Sequence, residues 1–162
     1  MRILFVCLGN ICRSPTAEAV FRKTAAMAGL DPEIDSAGTS DWHIGEPPYG
    51  PMQAAAFARG YDLADLRARQ FSRADFDRFD LILGMDGTNI TRMREQAGDA
   101  SGARLQLFLD YAPEIARTDV PDPYYTRDFD AAIDLIEAAS AGLLAQLLRS
   151  EQVSSAAAPQ AL

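Results

Sequence analysis

The sequence predicts a single α/β domain in which a four-stranded parallel sheet is covered by helices on both faces. Short apolar runs alternate with longer segments of helical periodicity, and this alternation is typical of parallel strands joined by helical crossovers. The length of 162 residues suits one domain, because a chain of this size can bury a substantial core. We expect the domain to span residues 1–149 and a flexible tail to span 150–162, where small and polar residues dominate.

Each element has a local signal. The predicted strands are apolar runs with many branched or aromatic residues, and they span residues 3–6, 34–37, 79–83 and 105–109. The predicted helices repeat apolar residues at helical spacing, and they span residues 16–30, 51–59, 88–96 and 129–148. Ser14 and Pro15 are typical of an N-cap and a first helical residue, so residues 7–14 form a loop between strand 1 and helix 1. The segment 110–127 contains three prolines and is long for a connection, which indicates a functional loop.

Charge and cysteine usage narrow the classes of function. The net charge is −8, which argues against a broad surface for nucleic acid or an anionic membrane, so any anion site must be local. Two cysteines are too few for a disulfide framework or a structural zinc site. The apolar start breaks at Gly9 and Asn10, unlike a signal peptide. We therefore expect a cytoplasmic protein with reduced thiols.

The loop between strand 1 and helix 1 combines a thiol with groups that bind anions. Gly9 and Asn10 permit unusual backbone angles, so successive N–H groups can form a nest for an anion, assisted by the helix dipole. Arg13 supplies a planar fork suited to two phosphate oxygens. The same positive partial charges favour a thiolate at Cys7. The alternative is that Cys7 is a small apolar residue that ends a strand.

The motif around Cys7, VCLGNICRSP, resembles the signature of the low-molecular-weight protein tyrosine phosphatases. The resemblance covers roughly residues 1–148, and it continues through SAGT at 36–39, Trp42, RQF at 69–71, Met85 with Asp86, and DPYY at 122–125. It implies a two-step phosphoryl transfer without metal or cofactor, in which Cys7 is the nucleophile and Asp122 the general acid. The residues it implies for phosphate binding are Leu8, Gly9, Asn10, Ile11, Cys12, Arg13 and Ser14.

The same resemblance assigns supporting residues. Trp42, Tyr124 and Tyr125 resemble the aromatic walls of the family's substrate cleft, although bare aromatic residues are more often packing. Ser36, Asp86 and Ser14 resemble family positions that support the loop and the acid segment, and the Ser14 hydroxyl can donate to the sulfur of the nucleophile.

In the family, a cysteine at position 12 can form a reversible disulfide with the nucleophile, and simple packing of Cys12 is the alternative. The only histidine, His43, adjoins Trp42 in a predicted surface loop, where we expect a solvated residue without a catalytic role.

The implied partners are tyrosine-phosphorylated proteins and a bacterial tyrosine kinase. We expect a monomer that can form a weak dimer, with no binding to nucleic acid or membrane.

Two departures from the family pattern and one charged residue concern the surroundings of the loop. Tyr49-Gly50-Pro51 replaces an Asp-Pro-Arg element, which removes an ion pair that braces the loop. Leu66 stands where some relatives carry a histidine that contacts the loop asparagine. Glu46 should disfavour very acidic peptides beside the cleft.

Three alternative functions share the anion-binding loop. An arsenate reductase needs a further downstream cysteine, and this chain has none after Cys12. The arginine phosphatases carry threonine in place of Ile11 and lack the paired tyrosines. A non-catalytic phosphate-binding module would have no use for Cys7 together with Asp122.

Overall fold

The computed structural model describes residues 1–99 and 103–157. Four strands form one parallel sheet in the order β2-β1-β3-β4, which confirms the predicted fold class. The strands are β1 (Arg2–Cys7), β2 (Glu33–Gly38), β3 (Leu81–Gly84) and β4 (Arg104–Leu107). Because β1 lies inside the sheet, the loop that follows Cys7 leaves from between two paired neighbours.

Six α-helices and two 3-10 helices lie within the described residues. The α-helices are α1 (Arg13–Met27), α2 (Gly50–Phe57), α3 (Asp75–Arg78), α4 (Gly87–Ala97), α5 (Pro123–Thr126) and α6 (Phe129–Ala157), and the 3-10 helices are Phe108–Tyr111 and Pro113–Ile115. The prediction missed the short helices α3 and α5. It also ended the last helix at 148, which is wrong because residues 149–157 contain no proline or glycine and continue α6. Residues 150–157 of the predicted tail are therefore helical, and 158–162 lie outside the described residues.

Alternate residues of the central strand pack on opposite faces of the sheet, as the two-residue period of a strand requires. Ile3 and Phe5 belong to a core formed with α1 and α6. Leu4 and Val6 belong to a second core formed with α3 and α4. The sheet is thus covered on both faces.

Helix α6 is long and apolar enough to cross a membrane by length and composition. Its apolar face is buried against α1 and the sheet, with Ile136, Ala139 and Leu143 inaccessible to solvent. This is the ordinary position of a core helix.

The carboxyl ends of three strands meet beneath the loop that follows β1. The Met85 N–H donates to the Val6 carbonyl, and the Thr39 N–H donates to the Cys7 carbonyl. The Ser40 N–H donates to the Leu8 carbonyl at 2.9 Å. A ligand site is expected at this edge of a parallel α/β sheet.

Candidate active site

The loop after β1 holds the sulfur of Cys7 between a backbone donor and a hydroxyl. The Asn10 N–H donates to Cys7 Sγ at 3.3 Å, and Ser14 Oγ lies 3.1 Å from the same sulfur. Helix α1 begins at Arg13, so the N-cap position belongs to Cys12 and no side chain caps it. The prediction of Ser14 as N-cap is therefore wrong, and the Ser14 hydroxyl faces the sulfur instead.

Asn10 adopts a left-handed conformation (φ 55°) that its side chain stabilises. Its amide nitrogen donates to Ser14 Oγ at 2.7 Å and to Ser36 Oγ at 3.0 Å. Its amide oxygen accepts from the Arg69 N–H at 3.0 Å. Both hydrogens and the oxygen of the side-chain amide thus have protein partners, and one oxygen lone pair has none among the described residues. These three hydrogen bonds hold the turn in place.

Main-chain groups brace the loop where the sequence departs from the family pattern. The Arg69 N–H contacts Asn10, so the loop asparagine is held although Leu66 replaces a histidine. The Tyr49 N–H donates to the Ile11 carbonyl at 2.8 Å. The Ile11 and Cys12 side chains pack in a small core with Met52 and other residues of α2, α6 and the connecting loops.

Arg13 is buried beneath the loop and touches three groups. Its Nη1 donates to Asp86 Oδ2 at 2.7 Å and to the Val120 carbonyl at 2.9 Å. Its Nη2 donates to Asp122 Oδ2 at 3.3 Å. Burial lowers the pKa of Arg13, but the negative charges of Cys7, Asp122 and Asp86 outweigh burial and raise it.

The Nε of Arg13 is a buried donor with no hydrogen-bond partner among residues 1–99 and 103–157. A donor left unpaired in a protein interior costs free energy, and a phosphate oxygen would satisfy it. Nε and an Nη of one guanidinium form the fork that binds two oxygens of a phosphate. The position of Arg13 therefore suits an oxyanion above the loop.

Asp122 reaches the loop from the long segment before α6. The Val120 N–H donates to the Met85 carbonyl at 2.9 Å, which ties the segment to the end of β3. The Asp122 carboxylate also accepts from the Tyr124 N–H at 3.1 Å and caps α5. Asp122, which follows Cys7 and Arg13 by more than a hundred residues, thus lines the same cleft as Cys7 and contacts Arg13.

Asp86 supports Arg13 from the N-terminus of α4. Its carboxylate accepts from the Asn89 N–H, and the Asn89 side chain accepts from the Asp86 N–H. This reciprocal capping box orients the carboxylate toward Arg13.

A cleft of about 270 Å³ opens above the loop. Trp42 and Tyr125 stand at its rim and are 63% and 66% exposed. The Tyr124 ring lies between Tyr49 and Tyr125, with centroid distances of 5.2 and 5.3 Å. The lining residues are Cys7, Leu8, Gly9, Ile11, Cys12, Trp42, His43, Asp122, Tyr124 and Tyr125.

Sequence reasoning missed the position of His43. The imidazole lies in a surface turn and is partly exposed, but it also lines the cleft and lies above Gly9, where an added Cβ would be 3.0 Å from His43 Cδ2. Its Nδ1 pairs with Glu46 at 2.6 Å. The only available signal was the adjacency to Trp42.

The second cysteine lines the same cleft as the first. Both are free thiols. Burial is the main cause that raises the pKa of Cys12 to about 12, and the negative charge of Cys7 is the second cause. The Cys12 side chain is therefore a neutral thiol near neutral pH.

No group of three or more His, Cys, Asp or Glu side chains suited to a metal ion occurs in the part of the chain that the structure describes.

This fold and this site define an α/β phosphatase with a cysteine, an arginine and an aspartate around one phosphate-binding loop. Residues 2–153 match the family model described as low molecular weight phosphotyrosine protein phosphatase. The chain belongs to this family, as the motif predicted, and is an enzyme of the phosphatase class.

Relatives span nearly the whole chain. The low molecular weight protein-tyrosine-phosphatase YfkJ of Bacillus subtilis is 44% identical over 93% of this chain and 98% of its own length. The low molecular weight protein-tyrosine-phosphatase of Streptomyces coelicolor is 45% identical over 97% of this chain and 98% of its own.

Solved structures share the fold. The crystal structure of YfkJ has a TM-score of 0.88 with 43% identity and covers 93% of this chain and 96% of its own. The crystal structure of a Drosophila arginine phosphatase has a TM-score of 0.86 with 30% identity, covering 91% and 98%. Since proteins named for tyrosine and for arginine share this fold, the choice of leaving group depends on local residues.

Proposed function

We propose that this chain hydrolyses phosphotyrosine in proteins through a phosphocysteine intermediate, without a metal ion. The observation that carries the proposal is that Cys7 and Asp122 line one cleft with aromatic walls, while the buried Arg13 guanidinium donates to the Asp122 carboxylate. The two named relatives described as protein-tyrosine-phosphatases support it.

In the first step the Cys7 sulfur attacks phosphorus. The S–P bond forms, the P–O bond to tyrosine breaks, and Asp122 gives its proton to the departing tyrosyl oxygen. The loop N–H groups and Arg13 hold the non-bridging oxygens, and their positive charge takes the place of a metal ion.

The arrangement of Arg13 supplies a reason for Asp122 to bind a proton when substrate arrives. Before binding, the Asp122 carboxylate accepts a hydrogen bond from Arg13 Nη2. A phosphate dianion that takes Nε and Nη2 removes that interaction and adds negative charge beside the carboxylate, and both changes favour its protonated form.

In the second step water attacks the phosphorus of phosphocysteine. The Asp122 carboxylate takes a proton from the water, the S–P bond breaks, and the sulfur leaves as a thiolate. The Ser14 hydroxyl, 3.1 Å from that sulfur, can donate to the thiolate and stabilise it as a leaving group.

The cleft favours an aromatic substrate. A flat ring can lie between Trp42 and the Tyr124-Tyr125 pair, and aromatic pairs in such arrangements add about 0.5–1.5 kcal/mol beyond simple burial. Ile11 adds an apolar wall where arginine phosphatases carry threonine. These contacts favour phosphotyrosine over phosphoarginine.

The position of Cys12 in the same cleft as Cys7 supports a protective role against oxidation. If Cys7 is oxidised to a sulfenic acid, Cys12 can attack that sulfur, forming the Cys7–Cys12 disulfide and releasing water. Two reduced thiols also fit a cytoplasmic location, with a bacterial tyrosine kinase supplying the phosphoprotein substrates.

Turnover of a phosphotyrosine peptide in the presence of a chelator tests the proposal. We expect turnover by the unaltered chain, none by Cys7→Ser, and a kcat lowered roughly 10²–10⁴-fold by Asp122→Ala. The matched control is Asp119→Ala, an exposed carboxylate on the same segment that accepts from Gly87. The kcat for an aryl phosphate with a better leaving group should fall less in Asp122→Ala.

Equal losses on both substrates would count against Asp122 as the acid. Faster turnover of a phosphoarginine peptide than of the phosphotyrosine peptide would move the chain to the arginine branch. Loss of activity with the chelator would overturn the metal-independent mechanism.

A further inference from the structure

Helix α1 carries a buried carboxylate that the proposed mechanism does not use. Glu18 is only 5% exposed, which is unusual for this residue type. Its Oε1 accepts from the Ser36 hydroxyl at 2.7 Å, and its Oε2 accepts from Arg22 Nη2 at 3.0 Å. A buried carboxylate needs such partners, and one of them leads toward the active site.

Hydrogen bonds connect Glu18 to the sulfur of Cys7, and counting hydrogens gives the chain a direction. Ser36 has one hydroxyl hydrogen and directs it to Glu18, so Ser36 Oγ accepts from the Asn10 amide. The second hydrogen of that amide goes to Ser14 Oγ at 2.7 Å.

The Ser14 hydroxyl is the last member of this chain. Because its oxygen already accepts from Asn10, its own hydrogen remains for Cys7 Sγ at 3.1 Å or for the Ala37 carbonyl at 3.3 Å. A negatively charged sulfur is the stronger acceptor.

We propose that Glu18 is a positioning residue for the nucleophile: its carboxylate takes the Ser36 hydroxyl hydrogen, so that Ser36 accepts from the Asn10 amide and, together with the Arg69 N–H on the amide oxygen, keeps the NH₂ group toward Ser14 and the Ser14 hydrogen toward the Cys7 sulfur. The inference rests on the proposed function, in which Cys7 reacts as a thiolate.

An ionised carboxylate suits this role because it can only accept hydrogen bonds. An amide at the same place can turn its NH₂ group toward Ser36 and reverse the Ser36 hydroxyl. The charged groups around Glu18 are Arg22, Arg69 and Asp35. Burial raises the pKa of Glu18, whereas the Ser36 hydrogen bond and the charge of Arg22 oppose that rise.

The rate of Cys7 alkylation by iodoacetamide as a function of pH tests the proposal without relying on phosphatase activity. Mass spectrometry of the Cys7 peptide separates its labelling from that of Cys12. The variants are Glu18→Gln, Ser36→Ala and the double variant, with Glu33→Gln as an exposed control on β2.

We expect Glu18→Gln and Ser36→Ala each to raise the midpoint of the alkylation profile by about one pH unit, the loss of one hydrogen bond to a charged group. The double variant should match Ser36→Ala alone, because both changes interrupt one chain. Ser36→Thr, which keeps the hydroxyl, should stay close to the unaltered protein, as should Glu33→Gln.

A lowered Tm for Glu18→Gln with an unchanged alkylation profile would mean that Glu18 only stabilises the fold. Additive shifts in the double variant would also overturn the proposal. If Glu18→Gln does not fold, the comparison of Ser36→Ala with Ser36→Thr still decides whether the Ser36 hydroxyl matters. Equal alkylation profiles for these two variants would refute the proposed series of hydrogen bonds. Failure of the proposed function is visible separately, as absent turnover of aryl phosphate by the unaltered protein.

Discussion

Replacement of Gly38 by alanine should move the phosphate-binding loop. Gly38 ends β2 directly under that loop, and a Cβ added there would lie 2.8 Å from the Leu8 carbonyl oxygen and 3.0 Å from the Gly9 carbonyl carbon. Both neighbours are backbone atoms, so no side chain can rotate away. The Ser40 N–H already ties the Leu8 carbonyl to the sheet.

The size of the effect follows from these distances. The contact with Leu8 is about 0.6 Å inside the 3.4 Å at which ordinary contact begins, so the loop must shift by a comparable amount. Overpacking of this kind costs about 1–3 kcal/mol of stability. Because a misplacement of about 1 Å can lower a rate 10²-fold, we expect kcat/KM to fall roughly 10-fold to 10²-fold.

The assay is turnover of an aryl phosphate together with thermal unfolding followed by circular dichroism. For a chain of this size the Tm should fall by roughly 2–4 °C per kcal/mol. Gly50→Ala is the matched control, since an added Cβ there has nothing within 4 Å. A Gly38→Ala protein with unaltered kcat/KM and Tm would refute the reasoning that the loop rests on this glycine.

Three further predictions concern Cys12 and Gly142. Burial and the charge of Cys7 raise the pKa of Cys12 to about 12. Iodoacetamide at about pH 7 should therefore label one thiol per native chain and none in Cys7→Ser, as measured by intact mass. Labelling of Cys12 in Cys7→Ser would contradict the conclusion that Cys12 is a neutral thiol. The raised value also means that the unfolded thiol, with its ordinary pKa of 9.0, loses its proton first as pH rises, so the free energy of unfolding should decrease between about 9 and 12, and less steeply in Cys12→Ala. Gly142→Ala should lower the urea midpoint by the equivalent of about 3 kcal/mol or more, because its Cβ would overlap the Tyr111 carbonyl oxygen; a midpoint equal to that of Gly50→Ala would show that α6 does not pack so closely there.

The sheet and the main helices were predictable because each strand is a short apolar run and each helix keeps an apolar face. Helices α3 and α5 were not, since four residues are too few for a periodic pattern. The end of α6 was missed because small polar residues were interpreted as a tail, although they do not interrupt a helix.

Within the site, the motifs VCLGNICRSP and DPYY were enough to predict that Cys7, Arg13 and Asp122 act together. How the fold brings Asp122 to the other two could be seen only in the structure. His43 and Glu18 depend on long-range contacts with Gly9 and Ser36, for which a single sequence offers no local signal. Ser14 shows the same limit, because its hydroxyl bonds across the loop rather than to its own helix.

The contrast between the inaccessible guanidinium of Arg13 and the protruding rings of Trp42 and Tyr125 has a consequence for altering this enzyme. Cys7 and Arg13 are buried, whereas the rings of Trp42 and Tyr125, which a phosphoprotein would contact first, are mostly exposed to solvent. Libraries of substitutions at the two rings should therefore change which peptides are accepted while leaving the fold nearly intact.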